Sequence, residues 1–319
     1  MTYPACSFRT ASATAVVLAC ALALNACGGG GGGVGPAASG GTLDAATVGT
    51  ASLAAAAKYG QKLTLTVNGT GLDRVTSSGT GCKDFSVSTT APYVSTATTA
   101  YFQCTVTALG AAQVVLKRAS DGVTLSTVSF DVPAPQVTFT FNNTAGINNN
   151  VVLTLAPEQT PITVDNFLRY VNSGFYNGTR IHRVAPGFVI QGGGYEGVIS
   201  GNATTANIPG LKPNNGPIAL EVNKGLSNAQ WTIGMARETL PNTASSQFYF
   251  NLSDNRRSLD PSPGNDGYAV FGSVTTGTAA IAAIADPLIA PCVAIITFSS
   301  AGECTPIPNV VLTTAVQTR

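Results

Sequence analysis

The strongest constraint on this chain is an alternation of apolar and hydroxyl-bearing residues with a period of two, repeated in short runs. Lys62-Leu-Thr-Leu-Thr-Val67, Thr99-Ala-Tyr-Phe-Gln-Cys-Thr-Val106, Gln113-Val-Val-Leu-Lys117 and Thr124-Leu-Ser-Thr-Val-Ser-Phe130 all carry it, and Asn68-Gly-Thr-Gly71 makes a turn. Successive side chains of a strand point to opposite faces, so such runs bury one face and solvate the other. Strands at this spacing predict a small Ig-like β-sandwich over residues 47–132. No constellation of ionisable residues appears in it, so a spacer or a partner-binding module is the expectation there.

Asp131-Val-Pro-Ala-Pro135 ends this region, because two prolines in three positions cannot continue a central strand. A new β-pattern follows. Val137, Phe139 and Phe141 share one face, the Asn-rich residues 142–150 turn the chain, and Val151-Val-Leu-Thr-Leu155 returns as a hairpin partner. Thr160 is a fitting N-cap and Pro161 suits the first helical turn. Ile162, Val164, Phe167, Leu168 and Val171 then form an apolar stripe that Gly174 ends. A second helix is expected at about 277–285, ended by Pro287. Two peripheral helices among many strands fit a closed antiparallel barrel.

Charge identifies no partner. Sixteen Lys and Arg against fifteen Asp and Glu leave a net charge of +1, which argues against nucleic acid. At the N-terminus, Arg9 precedes the apolar stretch Ala15 to Leu24. That stretch suits a signal peptide and is too short to span a bilayer, which takes about 20 apolar residues. Leu24-Asn25-Ala26-Cys27, followed by Gly28 to Gly33, resembles the lipobox of bacterial lipoproteins. The resemblance implies removal of a signal at 1–26, lipidation of Cys27 and a Gly-rich tether over 27–46. It places the protein in the cell envelope, periplasmic or at the outer membrane, touching the membrane through the lipid anchor only. An ordinary secretory signal with an incidental Cys27 is the alternative. Four further cysteines form two local pairs, Cys82 with Cys104 and Cys292 with Cys304. In an oxidising compartment each pair reads as a disulfide. The other reading, a zinc site, lacks a Cys-x-x-Cys motif, and no metal is expected.

Over roughly 136–316 the chain resembles the cyclophilins. The resemblance rests on a collinear set of blocks: Thr160-Pro-Ile-Thr-Val-Asp-Asn-Phe167, Gly174-Phe-Tyr-Asn-Gly-Thr179, and Ile181-His-Arg-Val-Ala-Pro-Gly-Phe-Val-Ile-Gln-Gly-Gly-Gly194. Then come Gly225-Leu-Ser-Asn228, Thr232-Ile-Gly-Met-Ala-Arg237, Pro241-Asn-Thr-Ala-Ser-Ser-Gln-Phe-Tyr-Phe-Asn251, Leu259-Asp260 and Gly267-Tyr-Ala-Val-Phe-Gly272. It implies an eight-stranded closed barrel capped by two helices, and peptidyl-prolyl cis-trans isomerase activity without a cofactor.

By the same resemblance Arg183 matches the catalytic arginine. Phe188, Met235, Tyr249 and Leu259 match the walls of a proline pocket. Gln191 and Gln247 match groups that hold the substrate backbone, Ala236 and Arg237 match the peptide-pairing strand, and Tyr268 stands where many relatives have His. His182, the one histidine, is read as structural, and Trp231 as core packing. Ser258 replaces an aromatic, which puts cyclosporin affinity in doubt. Residues 290–303 look like an insertion before a last strand at 310–314. The expected substrates are proline-containing polypeptides of the cell envelope. The alternative is a catalytically weak proline-peptide-binding or surface-interaction protein on the same scaffold.

Overall fold

The computed structural model describes residues 45–142, 150–197, 210–294 and 302–319. The proposed signal, Cys27, nearly all of the tether, most of the Asn-rich turn and part of the 290–303 insertion lie outside them. Seven strands open the described chain: β1 Thr47–Leu53, β2 Lys62–Thr70, β3 Val75–Thr80, β4 Cys82–Val87, β5 Thr99–Val106, β6 Gly110–Arg118 and β7 Thr124–Val132. The alternation does what it predicts. Leu63, Leu65 and Val67 of β2 and Ala100, Phe102, Cys104 and Val106 of β5 are buried, while the residues between them are not. These strands make two antiparallel sheets, ordered β1-β2-β5-β4 and β3-β6-β7. Disulfides join Cys82 to Cys104 and Cys292 to Cys304. The first ties β4 to its neighbour β5 within one sheet instead of joining two sheets across a sandwich.

The remaining strands are β8 Gln136–Phe141, β9 Asn150–Leu155, β10 Thr179–Arg180, β11 Arg183–Ala185, β12 Val189–Gly192, β13 Thr232–Met235, β14 Phe248–Asn251, β15 Val270–Thr276, β16 Cys292–Ala294, β17 Cys304–Pro306 and β18 Val311–Gln317. Three helices accompany them, α1 Pro161–Asn172, the single turn α2 Arg256–Leu259, and α3 Thr278–Ala285. The sheet order is β10-β18-β8-β9-β15-β13-β14-β12-β11-β17-β16.

This corrects the expectation of a closed eight-stranded barrel. The ladder is an open half-barrel of eleven strands, with β10 at one end and β16 at the other. The physical reason is a break at Ile181 and His182. β10 pairs with β18 while β11 pairs with β12 and β17, so the chain leaves one edge of the sheet and re-enters it near the other end. Across the gap run individual backbone bonds, among them Arg180 N–H to the Tyr195 carbonyl and His182 N–H to that of Gln191. The hairpin β16–β17, from the insertion, extends the far edge.

The core of this sheet is aromatic. Phe139 lies 5.2 Å from Phe248 between ring centroids, and Phe167 of α1 lies 4.9 Å from Phe271. Helix α1 is capped differently from the expectation. Thr160 occupies the N-cap but makes no side-chain cap bond. Instead the Ile162 and Thr163 N–H groups donate to the Glu221 carboxylate at 3.2 and 2.7 Å, and the Thr163 hydroxyl donates to it at 2.8 Å. A carboxylate at a helix N-terminus satisfies free donors and opposes the positive end of the dipole. Thr163 is thereby drawn inward, and Ile162, expected in the apolar stripe, is 47% exposed.

Gln317 joins the N-terminal strands to this sheet. It is 3% exposed, accepts from Gln61 Nε2 at 2.8 Å and Asn172 Nδ2 at 3.0 Å, and donates to the Tyr59 carbonyl at 2.9 Å.

Candidate active site

Strand pairing assembles the site. Arg183 of β11 stands opposite Gln191 of β12, and Gln191 opposite Tyr249 of β14, so residues of two motif blocks become neighbours across three strands. Ala185, Val189, Tyr249 and Leu259 form a small buried cluster apart from the main core, with Phe188, Ala236 and Tyr268 packed against it. Over it lies a hollow of about 190 Å³ whose rim includes Arg183, Gln191 and Arg237. Drug-sized sites run from about 300 to 1,000 Å³, so this one suits a single side chain. A larger hollow of about 340 Å³ lies between β4, β5 and α1, and none of the predicted site residues lines it.

Arg183 is held by three hydrogen bonds. Nη1 donates to Gln191 Oε1 at 3.1 Å, Nε to Glu303 Oε2 at 2.9 Å, and Nη2 to Glu303 Oε1 at 2.5 Å. Gln191 in turn donates from Nε2 to Gln247 Oε1 at 2.8 Å. Gln247 has this room because residue 194 is glycine: a Cβ there would lie 2.7 Å from the Gln247 side chain.

Tyr249 depends on Gly234 in the same way, since a Cβ at 234 would stand 2.3 Å from its Oη. That hydroxyl donates to Asn228 Oδ1 at 2.6 Å, and Asn228 is fixed by Asp260, which accepts from its backbone N–H and its Nδ2 at 2.8 Å each. Burial, with Tyr268 and Asp260 nearby, pushes the Tyr249 phenol well above its usual range and keeps it a donor. Arg237 stacks on Tyr268, 4.5 Å from the ring centroid, and its Nε donates to the Gly267 carbonyl at 2.8 Å.

Of the predicted residues, Arg183, Phe188, Gln191, Ala236, Arg237, Tyr249, Leu259 and Tyr268 line one hollow. Gln247 sits beside it in an adjoining hollow that shares Gln191, Ala236 and Arg237. Met235 does not join them; it is buried in the main core, where its N–H donates to the Ala269 carbonyl. The Ala236 N–H is taken by the Gln247 carbonyl. Ser258 is exposed and does not line the hollow. His182 is fully buried, its ring edge-on to Tyr195. Burial, then Arg180 and Arg183, hold its imidazole down to about 3, so it is neutral at ordinary pH. Trp231 is partly buried against the core.

Sequence reasoning missed Glu303 as a partner of Arg183, and quoted Gly194, Asn228 and Gly234 without giving them a role. Glu303 does have a signal: it is the single charged residue between Asp286 and Arg319.

The hollow thus sets a guanidinium and an amide beside the buried Tyr249–Leu259 cluster. The family model described as cyclophilin type peptidyl-prolyl cis-trans isomerase/CLD matches residues 137–313, more than half of the chain, and the chain belongs to that enzyme family. Peptidyl-prolyl cis-trans isomerase A of Dickeya dadantii is 44% identical over 40% of this chain and 62% of its own length. The peptidyl-prolyl cis-trans isomerase of Acinetobacter baylyi is 42% identical over 43% and 67%, and cyp18 of Streptomyces antibioticus 40% over 46% and 82%.

Proposed function

We propose that the protein accelerates rotation about X–Pro bonds, with Arg183 donating to the prolyl nitrogen of the twisted amide while the hollow holds the ring. An X–Pro amide turns over a barrier of about 18–20 kcal/mol because its nitrogen shares a lone pair with the carbonyl. As the bond twists, that lone pair returns to nitrogen and accepts a hydrogen bond. A guanidinium donates to it at any ordinary pH, since it stays charged. No bond breaks, so the chemistry calls for no nucleophile.

An acceleration of five decades takes about 7 kcal/mol, and one charge-assisted hydrogen bond supplies only about 1.5–3 kcal/mol. The remainder falls to orientation by the apolar hollow and the Gln191–Gln247 pair. The observation that carries the reading is the side-by-side setting of Arg183, Phe188 and Tyr249 around a hollow for one side chain. A protease-coupled prolyl-peptide assay tests it: Arg183→Ala lowers the rate at least tenfold. Equal rates would favour the second reading, a proline-peptide binder without useful turnover. That reading draws on the three Arg183 donors already engaged within the protein.

The substrates we propose are proline-containing polypeptides of the cell envelope, reached by a protein lipidated at Cys27. Two disulfides support an oxidising compartment. We read residues 47–132 as a β-sandwich spacer or partner-binding module, supported by Val114 of one sheet facing Leu65 and Phe102 of the other. Metabolic labelling with a fatty acid, abolished by Cys27→Ala, tests the anchor.

A further inference from the structure

We infer that Glu303 is a positioning residue for Arg183, holding the guanidinium in one orientation over the hollow and so raising the rate of the isomerisation proposed above, on which this inference rests. The contact is bidentate, Nε to Oε2 at 2.9 Å and Nη2 to Oε1 at 2.5 Å. Both side chains are withdrawn from water, with Arg183 20% exposed and Glu303 9%. A paired carboxylate fits a planar guanidinium fork in a fixed orientation, which an isolated lysine-like charge does not allow.

The fold brings Glu303 there through the insertion. Val184 of β11 is paired with Cys304 of β17, which sets Glu303 diagonally across from Arg183. Cys304 is in turn bonded to Cys292, so β17 is stapled to β16. The arrangement favours support over blockade. The carboxylate grips the Nε–Nη2 side of the fork and Gln191 takes one Nη1 hydrogen. An arginine has five N–H donors, so two remain, one on Nη1 and one on Nη2, for a bound peptide.

The local charge argues the same way. Arg180 is fully buried three positions before Arg183, and neutral His182, on which both positive charges act, lies between them. Without the Glu303 carboxylate, the Arg183 charge has no anionic partner to hold it inward. A long side chain released in this way samples rotamers in which its donors miss the prolyl nitrogen.

A double-mutant cycle tests the inference, with kcat and KM measured separately on a prolyl tetrapeptide. Glu303→Ala lowers kcat about tenfold and leaves KM within about twofold. Glu303→Gln, which keeps the length and one acceptor, falls between parent and Glu303→Ala. Arg183→Ala combined with Glu303→Ala is no slower than Arg183→Ala alone, because Glu303 acts only through that arginine. The inference is overturned by a parental or raised kcat in Glu303→Ala and Glu303→Gln, or by additive losses in the double variant. Should Glu303→Ala fail to fold, Glu303→Gln decides by the same criterion. A parental rate in Arg183→Ala would instead sink the catalytic reading itself, and the positioning role with it.

Discussion

Tyr249 and Asn228 are joined by a 2.6 Å hydrogen bond from phenol to amide oxygen, and this bond orients one wall of the hollow. The amide also accepts from Asn251 Nδ2 at 3.2 Å and is anchored by Asp260. Three polar residues thus support one apolar surface from behind. Asn228→Ala leaves the buried phenol without its acceptor, at a cost of about 1–3 kcal/mol. The expected outcome is a lower thermal midpoint and a KM for proline peptides raised several-fold, with a smaller change in kcat.

Gly234→Ala acts on the hydroxyl end of the same ring. The added Cβ would stand 2.3 Å from Tyr249 Oη, so the ring must leave its place. Overpacking of this kind costs about 1–3 kcal/mol. The expected outcome is a loss of kcat/KM larger than that of Asn228→Ala, measured in the same assay. Gly49→Ala, where the backbone is not left-handed and a Cβ would meet only the Asn68 carbonyl oxygen at 3.4 Å, serves as the control for a glycine changed without a clash.

His182 sets a pH dependence of stability. Its imidazole is held down to about 3 by burial and two arginines, whereas an unfolded histidine titrates near about 6.5. Between those values the unfolded chain binds a proton that the fold refuses. Stability contributed by neutral His182 is therefore complete above about pH 6.5 and is lost as pH falls toward 3, by at most about 1.4 kcal/mol per pH unit. Denaturant midpoints measured from pH 7 to pH 5 should fall, and they should fall less in His182→Gln. Turnover should show no histidine step over pH 6–9.

The Cys292–Cys304 disulfide should matter to turnover and the Cys82–Cys104 disulfide should not. Only the first staples the strand that Glu303, a partner of Arg183, directly precedes. Cys292→Ser with Cys304→Ser should lower kcat several-fold at nearly constant KM. Cys82→Ser with Cys104→Ser should change stability alone. Both are read from steady-state kinetics beside thermal melts.

Much of this was legible in the sequence where the signal is local. The period-two runs put Leu63, Leu65, Val137 and Phe139 inside, and Pro161 with Gly174 bounded α1 within a residue or two. Arg183, Gln191 and Tyr249 were legible because they stand in collinear motif blocks. What escaped depends on contacts between distant parts of the chain. Glu221 caps α1 from 58 positions beyond Thr163. Glu303 meets Arg183 across 120 positions, by way of a strand pairing that no local pattern announces. Ile162 was misplaced because helical periodicity takes no account of a carboxylate turning Thr163 inward. The barrel was expected to close because alternation predicts strands but not which edge each one joins.

The central claim is that the Arg183 guanidinium speeds the turning of a prolyl amide. Exchange spectroscopy on an Ala-Pro peptide measures that turning at equilibrium, with no protease present. The parent should show cis–trans exchange cross-peaks at catalytic amounts, Arg183→Ala should reduce the exchange rate at least tenfold, and Arg183→Lys should recover only part of it. Exchange at the parental rate in Arg183→Ala, in a chain whose melting curve is unchanged, would contradict the account.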